Sequence, residues 1–329
     1  MFPDVPEFKF VDSLLKNAAE FKRESPRTRS WLGVGDDCAI FDGWLVTKDL
    51  SVENTHFRLD WSTPEQAVEK HIVSNVSDIN SMGGIPRIAL LGLCINRNWS
   101  TDTRNRVRDA LAGGFARRGI ALIGGDTVVG DEGMFSTTLL GTFEGERPLL
   151  RSAVKPGDSL YVNGTLGKSG AGLWLLLNHP EAAVDFPALV EYHLNPRICE
   201  SAGAELLRLG ACGACMDISD GLSSELNHLA LSSRVNVQID EKSVPVDPEV
   251  VRMCEKFGQN PLDFALNGGE EYELLFANSA SKGIFEKNTL TGEVCEIGFA
   301  TERSVGSPVS ILCKNGEVLP VSPRAWSHI

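Results

Sequence analysis

Strand and helix signals alternate along most of this 329-residue chain, and no other sequence feature limits its fold as strongly. Short apolar runs typical of buried strands are separated by longer segments with helical periodicity. The predicted helices cover residues 11–21, 64–82, 101–118, 169–177, 197–209 and 222–232. The predicted strands cover residues 44–48, 88–95, 120–123, 135–143, 159–162, 214–218, 235–239, 272–277, 294–299 and 309–313. The pattern predicts a mixed α/β (α+β) protein.

The length of the chain favours two domains, each able to bury its own core. Residues 147–158 include Pro148, Pro156 and Gly157, a composition typical of a boundary. We therefore predict one domain at residues 1–148 and a second at residues 149–329.

Aspartates stand beside glycine, or close to it, at five points along the chain. The five segments are Gly35-Asp36-Asp37, Thr47-Lys48-Asp49, Ser77-Asp78, Gly124-Gly125-Asp126-Thr127 and Asp217-Ile218-Ser219-Asp220-Gly221. Each comes at the end of an apolar run predicted as a strand or a buried helix, so the fold could gather them. Gathered carboxylates can hold hard cations around phosphate groups, and phosphoryl transfer needs mainly metals and positioning. The sequence therefore favours phosphoryl-transfer chemistry.

Local spacing supports this interpretation at two of the five points. Helical periodicity places Asn75 and Asp78 on one face of the predicted helix. A β-like stretch places Asp217 and Ser219 on one side, directly before a helix N-terminus that could receive a phosphate. At Gly124-Gly125-Asp126, we expect a turn whose small residues let backbone amides approach an anion.

The candidate ligands are oxygen donors, which suits Mg²⁺ better than zinc. Cys212-x-x-Cys215 has neither a second cysteine pair nor a histidine partner at finger spacing, so a structural role is favoured there. The segment Gly164-Thr165-Leu166-Gly167-Lys168-Ser169 ends like a P-loop, but Val162 stands where its first glycine is required. Gly33-Val34-Gly35 lacks the remaining elements of a dinucleotide fingerprint.

The charge of the chain limits its partners. Acidic residues outnumber basic ones by 44 to 31, giving a formal net charge of −13. This charge repels nucleic acid and anionic membranes, so a polyanionic substrate would need metal ions. No secretory signal is recognisable, and the longest apolar stretch, 88–95, is too short to span a bilayer. We expect a cytoplasmic protein whose eight cysteines are mostly buried free thiols.

Eight groups of residues together resemble the thiamine-monophosphate kinase family, and they occur in the family's order. The first four are Gly35-Asp36-Asp37-Cys38-Ala39, Thr47-Lys48-Asp49 with His56-Phe57, Asn75-Val76-Ser77-Asp78 with Met82-Gly83, and Leu122-Ile123-Gly124-Gly125-Asp126-Thr127. The other four are Arg151 before Lys155-Pro156-Gly157-Asp158, Gly164-Thr165-Leu166-Gly167, Met216-Asp217-Ile218-Ser219-Asp220-Gly221-Leu222, and Ala265-Leu266-Asn267-Gly268-Gly269-Glu270-Glu271-Tyr272-Glu273-Leu274.

This resemblance implies the two-domain, PurM-like fold of aminoimidazole ribonucleotide synthetase, with N-terminal domains that carry the metal and ATP site and pair in a homodimer. It implies direct in-line transfer of the ATP γ-phosphoryl group to thiamine monophosphate, giving thiamine diphosphate without a phosphoenzyme. The implied Mg²⁺ ligands are Asp37, Asp49, Asp78, Asp126, Asp217 and Asp220, of which Asp78, Asp126, Asp217 and Asp220 count as catalytic. The implied ATP contacts are Asp37, Thr47, Gly125, Asp126, Arg151 and Ser219. The implied substrate contacts are His56, Glu270 and Trp326.

The chain departs from the family pattern at Lys48, at Glu271 in place of the usual Asp, and at Arg118-Gly119. Lys48 could pair with a phosphate or with a neighbouring ligand acid. Two alternatives therefore stay open, an ATP-dependent ligase or cyclase like aminoimidazole ribonucleotide synthetase and a non-catalytic nucleotide-binding relative. Residues 47–57 and 268–275 favour the kinase over the first alternative.

Overall fold

The computed structural model describes residues 31–210, 212–279 and 293–324, together with Phe10, Ser13 and Leu14, which are helical. Most of the predicted helix 11–21 and the predicted substrate contact Trp326 lie outside the described residues. The described chain forms two sheets with helices packed against them, so the predicted mixed α/β class is confirmed. Within these residues, no helix has the length and the apolar character needed to cross a membrane.

The first sheet has six strands in the order β1-β2-β3-β6-β4-β5. Its strands are β1 (Trp31–Leu32), β2 (Ala39–Phe41), β3 (Trp44–Val52), β4 (Gly84–Asn96), β5 (Ala121–Gly130) and β6 (Met134–Phe143). Neighbouring strands are antiparallel except β4 and β5, which run parallel. Alternate residues of β6 are buried, because one face of this sheet packs against helices.

Helices α1 (Pro64–Ser81) and α2 (Thr101–Arg117) cover one face of the first sheet. α1 begins at a capping box, in which the Thr63 side chain accepts from the Gln66 amide and the Gln66 side chain accepts from the Thr63 amide. Apolar α1 residues such as Ile72 and Ile79 pack against strand residues such as Leu139. This packing fixes the helix that carries Asp78 against the sheet that carries Asp49.

The second sheet has seven strands in the order β13-β12-β9-β11-β7-β10-β8. Its strands are β7 (Ser159–Asn163), β8 (Cys212–Asp217), β9 (Val235–Asp240), β10 (Leu274–Asn278), β11 (Val294–Glu302), β12 (Val309–Leu312) and β13 (Val318–Pro320). Only β12 and β9 pair in parallel among the assigned pairs of this sheet. β8 lies at one edge, so Asp217 at its end faces the first half of the molecule.

Among the described residues, six α-helices accompany the second sheet. They are α3 (Lys168–Asn178), α4 (Pro187–Leu194), α5 (Ala202–Leu209), α6 (Leu222–Ser233), α7 (Pro248–Phe257) and α8 (Pro261–Asn267). Short 3₁₀ turns occur at Arg151–Ala153, Pro180–Asp185 and Glu241–Ser243. Leu226 and Leu229 of α6 pack against Met216 and Val237 of the sheet, which anchors the segment directly after Asp217.

The C-terminal end of α1 is fixed to the second half of the molecule. The Asn80 side chain accepts from the Gly203 amide at 2.9 Å and donates to the Cys199 carbonyl at 3.1 Å. A Cβ at Gly203 would lie only 1.6 Å from the Asn80 carbonyl oxygen, so this close approach requires glycine. α1 therefore holds the two sheets at a fixed separation next to Asp78.

The predicted elements need correction in three respects. The predicted strand 120–123 continues to Gly130, so Gly124-Gly125-Asp126 lies inside β5 and the predicted turn is wrong. The predicted helix 197–209 begins only at Ala202. The prediction also omitted α4, α7 and α8, although Asp247 before Pro248 supplies an N-cap and an N1 proline.

Candidate active site

A cavity of about 1360 Å³ lies between the two halves of the molecule. The first half contributes Asp49, His56 and Asp78 to its walls, and the second half contributes Asp217, Ser219, Asp220 and Glu270. Seven of the thirteen residues predicted for the site therefore line one space, although they come from segments far apart in the sequence.

Three carboxylates meet at one end of the site, and we call this group the carboxylate end. Asp37 precedes β2, Asp78 lies in the last turn of α1, and Asp217 ends β8. One oxygen from each of the three lies within 4.8 Å of the others. This separation suits oxygen ligands that share a divalent cation. The predicted gathering of acids from distant segments is thus present for these three residues.

Hydroxyl groups fix each of the three carboxylates. Ser81 Oγ donates to Asp37 Oδ2 at 2.6 Å, and Ser77 Oγ donates to Asp217 Oδ2 at 2.6 Å. The Thr47 hydroxyl donates to Asp78 Oδ2. Because the donors are short side chains on α1 and β3, the carboxylates are held in place before any ligand arrives.

Arg151 provides positive charge at the carboxylate end. Its Nε donates to Asp37 Oδ1 at 3.0 Å and its Nη2 also contacts that oxygen, while its backbone amide donates to Asp36 Oδ2 at 3.1 Å. Its carbonyl accepts from Ser233 Oγ at 2.7 Å, which ties the 3₁₀ turn to α6. A guanidinium held beside such a cluster of acids can also contact a phosphate.

Burial and mutual repulsion disfavour the charged forms of the acids at the carboxylate end. Burial, and then the nearby Asp37 carboxylate, raise the pKa of Asp217 to about 8. Burial, and then the charges of Asp49, Asp217 and Asp37, raise the pKa of Asp78 well above its ordinary value. Burial also raises the pKa of Asp49, whose backbone amide donates to Asn75 Oδ1 at 3.3 Å. A bound cation would relieve this repulsion, so the residues present fit a hard metal ion.

The segment after β8 is held by a buried acid that the sequence prediction did not include. Glu225, in the first turn of α6, accepts from the Asp220 amide at 2.9 Å and contacts Ser219 Oγ at 3.5 Å. Burial and the Asp220 charge raise the pKa of Glu225 well above its ordinary value. Glu225 therefore fixes the backbone from which Ser219 and Asp220 extend into the cavity.

The other end of the site, which we call the glutamate end, consists of Lys70, His193 and Glu270. Lys70 Nζ contacts Glu270 Oε2 at 2.6 Å, and His193 Nδ1 lies 3.6 Å from the same oxygen. Glu270 and Tyr272 both have a left-handed backbone, with φ of 61° and 55°. Their amides donate to the carbonyls of Ser219 and Ile218 at 2.7 and 2.8 Å. These bonds connect the glutamate end to the segment that carries Asp217 and Ser219.

Comparisons with known proteins agree with this geometry. The family model described as AIR synthase related protein, N-terminal domain, matches residues 35–143, and its C-terminal counterpart matches residues 155–309. The thiamine-monophosphate kinase of Bacillus subtilis is 34% identical over 252 residues, which cover 74% of this chain and 76% of that protein. The chain belongs to the thiamine-monophosphate kinase family. The family resemblance predicted from the sequence is therefore confirmed.

Two further matches to the thiamine-monophosphate kinase family, one by sequence and one by structure, extend over nearly the whole chain. The Aquifex aeolicus protein is 32% identical over 330 residues, covering 99% of this chain and 98% of that one. A solved structure of AaThiL complexed with AMPPCP and TMP is 32% identical with a TM-score of 0.81, covering 98% of this chain and 97% of that chain. This match confirms the predicted PurM-like, two-domain type of fold.

Two residues that the family resemblance assigns to the nucleotide lie apart from the carboxylate end. Gly125 and Asp126 lie on β5, three strands away from β3 in the sheet, and both are exposed. Asp126 Oδ1 accepts from the Thr127 amide at 2.9 Å. A Cβ at Gly125 would lie 1.8 Å from the Leu91 carbonyl oxygen, so glycine is required by strand packing. The described chain by itself does not bring these residues to the three acids.

Two of the three departures from the thiamine-monophosphate kinase pattern, Lys48 and Glu271, lie outside the carboxylate end. Lys48 is exposed, and its ammonium donates to Ser136 Oγ at 2.7 Å. Burial raises the pKa of the neighbouring Asp49, and the Lys48 charge opposes that rise. Glu271 is fully buried, and its Oε1 accepts from the amides of Gly167 and Ser169 at 3.1 and 2.9 Å. Among the described residues, its Oε2 has no hydrogen-bond partner. Glu271 therefore supports the start of α3 and does not remove a group from the cavity.

The sequence prediction missed several residues that support the site. They are Asp36, Lys70, Ser77, Ser81, His193 and Glu225. Ser81 lies three residues after Asp78 and shares its α1 face, so helical spacing could have indicated this residue. Lys70 and Glu270 are 200 positions apart, and no local signal connects them.

Proposed function

We infer that the chain transfers the γ-phosphoryl group of ATP to thiamine monophosphate, giving thiamine diphosphate and ADP. The observation that carries this inference is the meeting of Asp37, Asp78 and Asp217 beside Arg151, at one end of a cavity that extends to Glu270. AMPPCP is a non-hydrolysable ATP analogue, and we read TMP in the AaThiL complex as thiamine monophosphate. The thiamine-phosphate kinase activity predicted from the sequence is confirmed at the level of the family.

Asp37, Asp78 and Asp217 would hold Mg²⁺, with Asp49, Asp126 and Asp220 as further proposed ligands. All six offer carboxylate oxygens, which is the donor set that Mg²⁺ prefers. When bound, several Mg²⁺ ions would supply charge neutralisation for the ATP phosphates and for the acceptor phosphate. Ser77, Ser81 and Thr47 keep three of the carboxylates oriented, so little reorganisation is needed when ligands bind.

The proposed ATP contacts would offer polar and charged groups to the phosphate chain. Arg151 offers a permanently charged, planar guanidinium, and Thr47 and Ser219 offer hydroxyl groups. Gly125 and Asp126 complete the set proposed from the family pattern, with Asp37 shared between metal and nucleotide. No general base is required, because the acceptor is already an ionised phosphate oxygen.

The proposed substrate contacts are His56, Glu270 and Trp326. A carboxylate attracts both the amino group of an aminopyrimidine and a cationic thiazolium ring. Glu270 lines the cavity beside His56, so the two can approach one ligand.

Residues 1–148 and 149–329 remain our proposed domain limits.

We also propose a homodimer formed through the first sheet. Leu122, Ile123, Val128 and Val129 of the edge strand β5 are exposed apolar side chains. Such a strand invites pairing with another chain unless it is covered. Val128→Lys should lower the apparent mass in sedimentation equilibrium, whereas an unchanged mass would argue against this interface.

The acidic net charge supports our proposal of a cytoplasmic location without nucleic-acid or membrane partners.

Incubation of the purified protein with Mg-ATP and one acceptor at a time tests the function. We expect ADP and thiamine diphosphate to form in equal amounts with thiamine monophosphate. Product only with formylglycinamidine ribonucleotide would favour the ligase or cyclase alternative. ATP binding without turnover on either acceptor would favour a non-catalytic relative.

A further inference from the structure

We propose that Lys70 is a positioning residue that sets the orientation of Glu270 and of the His56 segment for thiamine monophosphate. The inference rests on the proposed function and assigns a role to a residue that the sequence patterns did not select. Lys70 lies on α1 in the first half, and Glu270 lies in the second half between α8 and β10. One ammonium group therefore connects the two parts of the proposed substrate pocket.

The contacts of Lys70 identify this role. Its Nζ lies 2.6 Å from Glu270 Oε2 and donates to the His56 carbonyl at 3.4 Å. Its side chain is only 8% exposed, whereas the Glu270 side chain is 29% exposed and lines the cavity. Both residues line the cavity, but the lysine is the more deeply buried of the two, and the carboxylate remains accessible to a ligand.

A buried lysine destabilises a fold unless a partner compensates its charge. The 2.6 Å contact with Glu270 provides that partner, and it engages the Oε2 atom. Oε1 then remains available to accept a hydrogen bond from the ligand. Without Lys70, the Glu270 side chain could rotate among several rotamers, and ordering it would have to occur during substrate binding.

The surroundings of Glu270 limit its alternatives. His193 Nδ1 lies 3.6 Å from Oε2 and 3.1 Å from Ser169 Oγ, so the imidazole is itself held in place. The Glu270 amide donates to the Ser219 carbonyl at 2.7 Å, which fixes the backbone. Lys70 is therefore the charged contact that selects the side-chain orientation, because the backbone and the imidazole leave that choice open.

Lys70→Met tests the inference, because methionine keeps the length of the side chain and removes its charge. We expect the KM for thiamine monophosphate to rise about tenfold, as expected for loss of one charged hydrogen bond, with the KM for ATP unchanged. Calorimetric titration with thiamine monophosphate should show the same loss of affinity without turnover.

A double-mutant cycle separates positioning from general structural support. If Lys70 acts through Glu270, then Lys70→Met should add less than about twofold to the KM for thiamine monophosphate in a Glu270→Gln background. A lysine that merely supports the fold would instead raise both KM values and act additively with Glu270→Gln. That result would overturn the inference.

Lys256→Met is the matched control, since Lys256 Nζ also lies 2.6 Å from an acid, Asp185, but both side chains are about half exposed. We expect its kinetics to equal those of the wild type. Lys70→Arg keeps the charge and serves if Lys70→Met does not fold; it should show a smaller but equally selective rise in the same KM. An unchanged KM in Lys70→Arg and in any folded Lys70→Met would overturn this inference alone. Absence of wild-type turnover and binding would overturn the proposed function as well.

Discussion

The two ends of the cavity handle buried charge in opposite ways. At the carboxylate end, three acids lie within 4.8 Å of one another, and hydroxyl groups and Arg151 hold them. At the glutamate end, the acid Glu270 is matched by the base Lys70. The first end is electrostatically incomplete without a cation, whereas the second is complete within the protein.

This difference indicates what each end recognises. A divalent cation offsets the repulsion within a cluster of negative charges, so the carboxylate end is suited to metal-bound phosphates. A paired carboxylate keeps only part of its hydrogen-bonding capacity, so the glutamate end can select a ligand by the position of its donors. We therefore propose that the carboxylate end supplies the phosphoryl-transfer chemistry and that the glutamate end selects the acceptor.

The largest effect is expected from Asp217→Asn at the carboxylate end. Turnover should fall by on the order of 10³-fold, because a proposed metal ligand is lost. The melting temperature should stay level or rise, since asparagine keeps the shape and removes one of three repelling charges. Steady-state kinetics and thermal unfolding measure both, with the exposed Asp185→Asn as control. Unchanged kcat would contradict the assignment of Asp217.

Glu270→Ala should have a smaller and more selective effect. We expect the KM for thiamine monophosphate to rise by about ten- to a hundredfold, because a charged hydrogen bond to the substrate is lost. The KM for ATP should not change, since Glu270 does not belong to the carboxylate end. Initial rates with each substrate varied in turn measure the two constants. A rise confined to the KM for ATP would assign Glu270 to the nucleotide and remove the contrast between the ends.

Arg151→Lys sharpens the description of the carboxylate end. The guanidinium contacts Asp37 through Nε and Nη2, and lysine offers only a single charged point. We expect the KM for ATP to rise by about tenfold, while the KM for thiamine monophosphate changes less. Equal effects on both constants would mean that Arg151 supports the cavity as a whole.

His71→Gln should have the smallest effect, and the effect should be on the pH dependence of stability. His71 is not one of the residues proposed for the site. His71 is buried on α1 between Ser51 Oγ at 2.9 Å and Thr137 Oγ1 at 2.8 Å. Burial lowers the pKa of His71 from 6.5 to about 3. Between pH 6.5 and about 3, His71 is therefore protonated in the unfolded chain but neutral in the folded chain. The free energy of unfolding decreases as the pH falls through this range.

Within that window this histidine should contribute a loss of about 1.4 kcal/mol in the free energy of unfolding per pH unit. The variant should lose less stability than the wild type over the same pH change, even if it is less stable at neutral pH. Urea unfolding at a series of pH values measures the difference. Parallel curves for the two proteins would show that His71 does not cause the dependence.

Regular elements with a buried face were predicted well. The predicted helix 64–82 is observed as Pro64–Ser81, and the predicted strand 135–143 as Met134–Phe143, because both carry an apolar face that packs on the core. β5 was predicted too short, since nearly all its residues are exposed and its glycine pair indicates a turn in any local reading. The missing information was tertiary, namely that the Leu91 carbonyl packs against Gly125.

The same division holds for the site. Aspartates beside glycine or close to it, each at the end of an apolar run, included Asp37, Asp78 and Asp217, which the fold gathers. The pairing of Ser77 with Asp217, of Ser81 with Asp37 and of Lys70 with Glu270 depends on distances between segments. The sequence pattern contains no measure of those distances. The positions of Gly125 and Asp126 on an exposed edge strand also cannot be judged from their motif alone.

The left-handed backbone at Glu270 has a cost in stability that a side chain at this position must carry. A non-glycine residue at a φ of 61° costs about 1–2 kcal/mol relative to an ordinary conformation. Glycine at position 270 would remove that cost, so Glu270→Gly should resist heat better than Glu270→Ala while discriminating acceptors no better. A screen for thermal tolerance among these two variants would therefore favour glycine over alanine, although both lack the carboxylate that we propose for acceptor choice and both leave Lys70 without its 2.6 Å partner.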